Sequence, residues 1–200
     1  MNYNGPKARR SRRLGIAITT KTQKHLERRP TPPGQHGKSK RPGKMSDFGR
    51  QLQEKQRLRA QYNITERYLR LMYAKAAGST ESTPEKLVQL LETRLDAVIY
   101  RAGLARSIFA ARQYVNHGHV TVNGKKVDIP SYRVELGDVV AIREKSKGMA
   151  AFKHALDTTQ RVPYLSTDDA KFSVKLSYIP KREEIPVICE VPAVVEFYSR

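Results

Sequence analysis

The chain has one cysteine, Cys189, and no tryptophan among its 200 residues. A single thiol allows no intrachain disulfide and no cysteine cluster for a structural zinc. Long apolar runs are missing too. Arg9, Arg10, Arg12 and Arg13 are followed only by the short apolar patch of residues 14–18, too brief for a signal-peptide core. No stretch approaches the length that spans a bilayer, so the expected setting is the cell interior. A transit peptide is a competing reading of an arginine-rich start, but Glu27 and the Pro/Gly tract behind it fit that poorly. Enzyme signatures are absent as well: there is no P-loop, no dinucleotide fingerprint and no HExxH zinc motif. Asp168-Asp169 reads as a solvated loop and Asp96 as an ion-pair partner of Arg94. Acid/base chemistry needs carboxylates in a buried cleft, and nothing in the sequence suggests one.

Acidic residues are scarce, 19 against 38 Lys and Arg, for a net charge of +19. The excess is crowded at one end. Residues 1–60 hold 17 Lys or Arg and 3 acidic residues, which is +14 of the total. A surface charged for solubility alone mixes its signs, whereas a basic arm calls for a polyanion. Neutralisation by phosphates would relieve the self-repulsion and release counterions. An apolar content of 38% fills a modest core, in one domain of fair size or two small ones.

Residues 1–45 read as an extended basic arm. Gly5-Pro6, Pro30, Pro32-Pro33-Gly34, Gly37 and Pro42-Gly43 break regular elements, and little apolar side chain is available to bury. The tract Arg28-Arg29-Pro30-Thr31-Pro32-Pro33-Gly34-Gln35-His36-Gly37 combines a fixed path, close backbone approach and phosphate-seeking arginines. A proline-rich docking ligand is its competing reading. Residues 46–77 read as two helices, capped by Ser46 and Thr65 and interrupted at residues 63–65. Thr83-Pro84 opens a further helix whose stripe is Leu87, Leu90, Leu91, Leu95 and Val98. Ser107 caps the next, with Tyr114 turned toward the core, and Gly118 closes it. The period then changes to two. Residues 120–122, the hairpin pair Asn123-Gly124 and residues 125–127 are followed by short strands at 132–134 and 139–142. Residues 144–163 read as loop or weak helix, and 172–176 alternate as a strand does. Residues 193–198 have enough apolar side chain to dock rather than trail.

The segment from Arg106 to Gly124 is the best site candidate. A capped helix N-terminus offers N–H groups to phosphate, and Arg112 offers a forked contact. His117 and His119 lack an acidic or cysteine partner nearby, so a metal or catalytic role is discounted for them.

These segments resemble the bacterial-type S4 family of small-subunit ribosomal proteins (uS4). The carrying stretches are RPTPPGQHG at 29–37, QLQEKQR at 51–57, RLDAVIYRAGLARSIFAARQYVNHGHVTVNG at 94–124 and VEFYSR at 195–200. The third alone is weaker, because the S4 RNA-binding module also occurs in pseudouridine synthases, aminoacyl-tRNA synthetases and heat-shock proteins. The resemblance implies an α+β fold: a helical domain at 46–92, completed by 181–200, with an inserted module at 93–180. That module sets two or three short helices on a small, mostly antiparallel sheet. It implies a primary binder of 16S-type ribosomal RNA that holds a multi-helix junction in the 5′ domain and helps begin assembly. Further implied partners are messenger RNA at the entry channel and protein S5 (uS5) of the same subunit, where decoding accuracy is influenced. Several bacterial members repress their own operon. No catalysis, cofactor, membrane or homo-oligomer is expected. Some members carry a zinc-binding cysteine cluster near the N-terminus that this chain lacks, so no metal is expected. Pro192 departs from the commoner ending and is expected at the first turn of the last helix.

The residues so assigned to RNA are, in the arm, Arg9, Arg10, Arg12, Arg13, Arg28, Arg29, Gln35, His36, Lys38, Lys40, Arg41 and Lys44. Arg50, Lys55, Arg57 and Arg59 follow on the basic helix. Arg94, Arg106, Arg112, His117, His119, Lys125 and Lys126 belong to the module. Three rivals remain: an RNA-modifying enzyme using the module for targeting, a duplex-DNA binder, and a stress or rescue factor that is not a permanent part of the subunit.

Overall fold

The computed structural model describes residues 2–37, 45–156 and 161–200. Lys38, Lys40, Arg41 and Lys44 lie outside the described residues. Helices and a small antiparallel sheet make the fold α+β. The chain divides into two compact units, Met1–Leu87 with Val187–Arg200, and Val88–Pro186.

The expectation of an extended arm over residues 1–45 is corrected by the first unit. Helices α1 (Lys7–Leu14) and α2 (Thr20–Arg28) occupy much of that stretch. The residues read as breakers bracket these helices instead of preventing them. Pro6 precedes α1, and Gly15 ends it in the left-handed region at φ 67°. Thr19 and Thr22 form a reciprocal capping box that opens α2. Pro30 follows two residues after its end. The short apolar patch then does more than its length suggests. Leu14, Ile16 and Ile18 are all buried, and the buried Ser11 hydroxyl accepts from the Ile18 N–H at 3.2 Å. Among the described residues, the tract at 30–37 is irregular apart from a 3-10 turn at Gln35–Gly37. A Cβ at Gly37 would run into the Pro32 carbonyl, so this fold-back needs glycine.

Helices α3 (Asp47–Gln61) and α4 (Glu66–Ala77) start where expected. Ser46 accepts from Gly49 N at 3.1 Å and Thr65 from Tyr68 N at 3.2 Å. Between them Asn63 takes φ 47°, one of the residue types that tolerate that region. The last helix, α10 (Val191–Ser199), packs on α3 and α4, with Pro192 in its first turn. Tyr198 stacks on Tyr73 at 5.0 Å, Phe197 lies 5.6 Å from Phe48, and Gln51 donates to Glu196 at 2.9 Å. The Glu66 carboxylate is the polar node. It accepts from Tyr198 Oη at 2.6 Å and from Lys55 Nζ at 3.0 Å, and it pairs with Arg59 at 3.1 Å.

The second unit begins within α5 (Thr83–Glu92), which starts at Thr83 itself, one residue earlier than a Thr83 cap would place it. Helices α6 (Leu95–Arg101) and α7 (Ile108–Asn116) pack together. Strands β1 (Val120–Val122), β2 (Lys125–Lys126), β3 (Val139–Ile142), β4 (Leu165–Asp168) and β5 (Ser173–Leu176) form an antiparallel sheet of order β2-β1-β3-β5-β4. Asn123 and Gly124 turn β1 into β2 at φ 48° and 78°, as the hairpin pair requires. Residues 132–134 give no strand, only an isolated bridge from Arg133 to Arg94. Residues 144–163 carry helices α8 (Glu144–Lys147) and α9 (Ala150–Leu156). Phe152 of α9 is fully buried and meets Tyr114 at 4.7 Å.

Burial alone would raise the Glu66 carboxyl, but the hydrogen bonds from Tyr198 and Lys55 and the charges of Lys55 and Arg59 outweigh it and hold it below the usual range. A carboxyl lowered by folding stabilises above its unfolded pKa, and that stability is lost as pH falls through the folded value. Below about pH 4.3 the urea midpoint should therefore fall more steeply for the native chain than for Glu66→Gln. Tyr198→Phe should cost about 1 kcal/mol at neutral pH. Equal pH slopes for the native and Glu66→Gln chains would refute the role given to Glu66.

Candidate nucleic-acid interface

Two basic surfaces are built, one in each unit. In the first, residues three and four apart on α1 and α2 share a helix face. Arg9 and Arg12 from α1, His25 and Arg28 from α2, and Arg29 line a cleft of about 550 Å³ with no acidic residue in its wall. Arg12 is not a loose cation. Its Nε donates to the carbonyls of Arg29 (3.1 Å) and Thr31 (3.0 Å), and its Nη2 donates to that of Pro32 (3.2 Å). One guanidinium thus clasps α1 to the backbone of the proline tract. Arg10 is half-buried over the Tyr3 ring at 4.8 Å. Burial, then the nearby charge of Arg59, pull its pKa below the ordinary arginine value, against an opposing effect of Tyr3. A guanidinium so placed gains from an incoming anion. Arg13, Arg28, Arg29, Gln35, His36 and Arg50 are exposed.

The other helix cations face inward in part. Lys55 is 5% exposed, paired with Glu66 and set 4.1 Å from the Phe197 ring centroid. Arg57 donates to the Leu14 carbonyl at 2.9 Å and pairs with buried Glu54. Arg59 bonds Glu66 and Gln56. These three anchor α3 before they can serve a ligand.

In the second unit the surface gathers around α7. Ser107 accepts from Ala110 N at 3.3 Å and fixes the start of the helix, with Arg106 exposed just before it. His117 is exposed at its C-terminal end. Gly118, at φ 70°, lets the Lys126 side chain lie against its backbone, where any Cβ would collide with it. Lys125 and Lys126 stand exposed on β2. His119 is drawn away from this face: Nδ1 lies 2.9 Å from Ser146 Oγ, and the ring sits edge-on to Phe152.

Arg94, expected at the interface, is turned inward. It is 2% exposed, and it grips Asp96 with both Nε (2.9 Å) and Nη2 (2.6 Å). Arg112 reaches the same carboxylate at 3.4 Å, and its outer part is left half-exposed. Asp96 is neutralised by Arg94 and also holds Arg112, so the three groups together keep one net positive charge. A second buried carboxylate, Glu92, takes Arg101 at 2.8 Å and the Tyr164 hydroxyl at 3.2 Å. Burial first, then the Glu92 charge, push Tyr164 well above the ordinary phenol value.

His25 and Tyr3 were missed from the sequence. Once a helix is recognised at 20–28, His25 falls on the Arg28–Arg29 face, whereas nothing local marks Tyr3 as the platform for Arg10. Arg143 was also missed; it donates to the Gly118 carbonyl at 3.1 Å and steadies the end of α7. Among the described residues no group of three or more His, Cys, Asp or Glu could hold a metal ion. No helix there is long and apolar enough to cross a membrane.

An exposed cationic helix–hairpin face on a small α+β module, in a chain whose helical unit has its own arginine cleft, defines an RNA-binding class of protein. Residues 93–140 match the S4 domain, and residues 2–92 match the ribosomal protein S4/S9 N-terminal domain. Similar proteins include the small ribosomal subunit protein uS4 of Streptomyces griseus, 47% identical over 100% of this chain and 99% of that one. That of Halalkalibacterium halodurans is 47% identical over 99% and 98%. That of Micrococcus luteus is 48% identical over 96% and 95%. The chain belongs to the uS4 family of small ribosomal subunit proteins, a structural and non-enzymatic family.

Removing one member of a buried ion pair strands the other, at about 3–5 kcal/mol. Asp96→Ala should therefore lower the urea midpoint strongly. Arg94→Ala should destabilise comparably while leaving the salt slope of RNA binding unchanged. A reduced slope with intact stability would return Arg94 to the interface.

Proposed function

We propose that this protein is a structural component of the small ribosomal subunit in the cytoplasm and a primary binder of its ribosomal RNA. Its task is to hold a multi-helix junction of the 5′ domain and so to nucleate assembly. The observation that carries this is the sorting of its cations. Arg57 and Arg94 are tied to the buried carboxylates Glu54 and Asp96, and Lys55 and Arg59 to the half-exposed Glu66, whereas Arg9, Arg13, Arg28, Arg29, Arg106, Lys125 and Lys126 face outward from two separate units. Outward cations on ordered elements suit the phosphate contacts that supply affinity, and recognition follows RNA shape.

In this reading the N-terminal 45 residues and the module at 93–180 grip different RNA helices. The body at 46–92, completed by 181–200, holds them as one chain. Gln35, His36 and the cations at 38, 40, 41 and 44 extend the first surface. A position beside the messenger entry channel, contact with protein uS5, an influence on decoding accuracy and repression of its own operon complete the proposal. Full-length similarity to uS4 proteins supports all of these, and the basic N-terminal unit supports the first.

If six to ten phosphates are neutralised, raising salt from about 50 to about 200 mM should cost roughly three to five decades of affinity for the isolated junction. Footprinting on small-subunit RNA, with and without residues 1–45, should show protections that depend on each unit. Salt-independent binding, equal affinity for duplex DNA, or absence from purified subunits at stoichiometric amounts would refute the proposal.

A further inference from the structure

We propose that the cleft between α1 and α2 is a pocket for a single unstacked nucleotide of single-stranded RNA. The inference rests on RNA being the ligand of this chain and names which part of it enters here. Shape is the first ground. At about 550 Å³ the cleft falls in the range of small-molecule sites, roughly 300–1,000 Å³. A duplex presents a convex backbone that lies across such a hollow, whereas a nucleotide splayed from a loop or bulge can enter it.

Chemistry is the second ground. Arg9, Arg12, Arg28 and Arg29 supply charge for the phosphate, with no carboxylate in the wall to compete. Guanidinium planes and the His25 imidazole are the surfaces on which unstacked bases pack. Rigidity is the third. The Arg12 clasp on three backbone carbonyls fixes the wall before RNA arrives, so less ordering entropy is lost on binding. Among the described residues, the small Ala8 lines the α1 side, and a Cβ at Gly34 would meet nothing within 4 Å.

The test uses the full chain in anisotropy titrations against a single-stranded RNA hexamer and a blunt RNA hairpin stem of equal charge. A nucleoside monophosphate serves as competitor. Ala8→Phe fills the cleft without altering charge. It should weaken hexamer binding about tenfold, the loss of one stacked base, while keeping the salt slope and the affinity for the stem. His25→Ala, at an exposed position that does not endanger folding, should act in the same direction and decides the matter should Ala8→Phe fail to fold. Arg28→Gln should lower the hexamer salt slope by about one unit. Wild-type hexamer affinity in the folded variants, an equal loss on the stem, or a monophosphate that displaces no hexamer would overturn the pocket while leaving RNA binding intact. A chain that binds neither probe overturns both.

Discussion

Shortage of negative charge governs this protein. With 38 Lys and Arg against 19 acidic residues, the fold has few anions to place inside, and it commits them to holding cations still. Glu54, Glu66, Glu92 and Asp96 each meet at least one arginine or lysine in the interior or at its edge. Taking such charges out of water is costly, and the cost is recovered only with good geometry and further hydrogen bonds. Asp96 meets that condition with a two-point grip from Arg94 and a third contact from Arg112. Glu92 meets it with Arg101 and Tyr164. Cations in excess of these partners stay at the surface, and Arg9, Arg13, Arg28, Arg29, Arg106, Lys125 and Lys126 among them lie on the surfaces assigned to RNA.

Much of the local architecture was legible in the sequence because its causes are local. Ser46, Thr65 and Ser107 each cap the helix they announce, and Asn123-Gly124 makes its hairpin, since each needs only residues three apart or fewer. The apolar run at 193–198 docks because it has no other way to leave water. What failed was reading Pro and Gly as the end of structure. Pro6, Gly15 and Pro30 are boundary residues, and the helices between them are eight and nine residues long, with mostly polar and charged side chains. Their apolar support comes from Leu14 at the end of the first helix and from Ile16 and Ile18 in the link. Strand β4 escaped notice because Leu165-Ser-Thr-Asp has a single apolar residue, and its partner β5 supplies the order. The site was legible as a composition but not as a direction. Charge type identifies a cation, and only packing shows whether it turns inward as Arg94 and Lys55 do.

The N-terminal unit shows how a small basic segment is held without a cross-link. Zinc bound by cysteines is one cross-link that some members of this family use near their N-terminus. Here hydrogen bonds join the same stretch: Ser11 to Ile18, Thr19 to Thr22, and Arg12 to the carbonyls of residues 29, 31 and 32. A guanidinium suits this task because its donors form a fixed fork, and lysine would not span three acceptors with the same geometry.

The clasp has a consequence for how the surfaces divide their work. A lysine on the β2 hairpin keeps a mobile stem, so it follows the nearest phosphate and adds affinity with little discrimination. An arginine fixed in the cleft wall, as Arg12 is, cannot follow. It favours the RNA that brings a phosphate and a base to it in the right arrangement, and every RNA that lacks it leaves the cleft unfilled. Affinity can therefore be spread across the whole basic surface while selectivity is concentrated where the protein is least free to move. That separation gives a chain of net charge +19 a way to tell one folded RNA from the many polyanions its charge attracts.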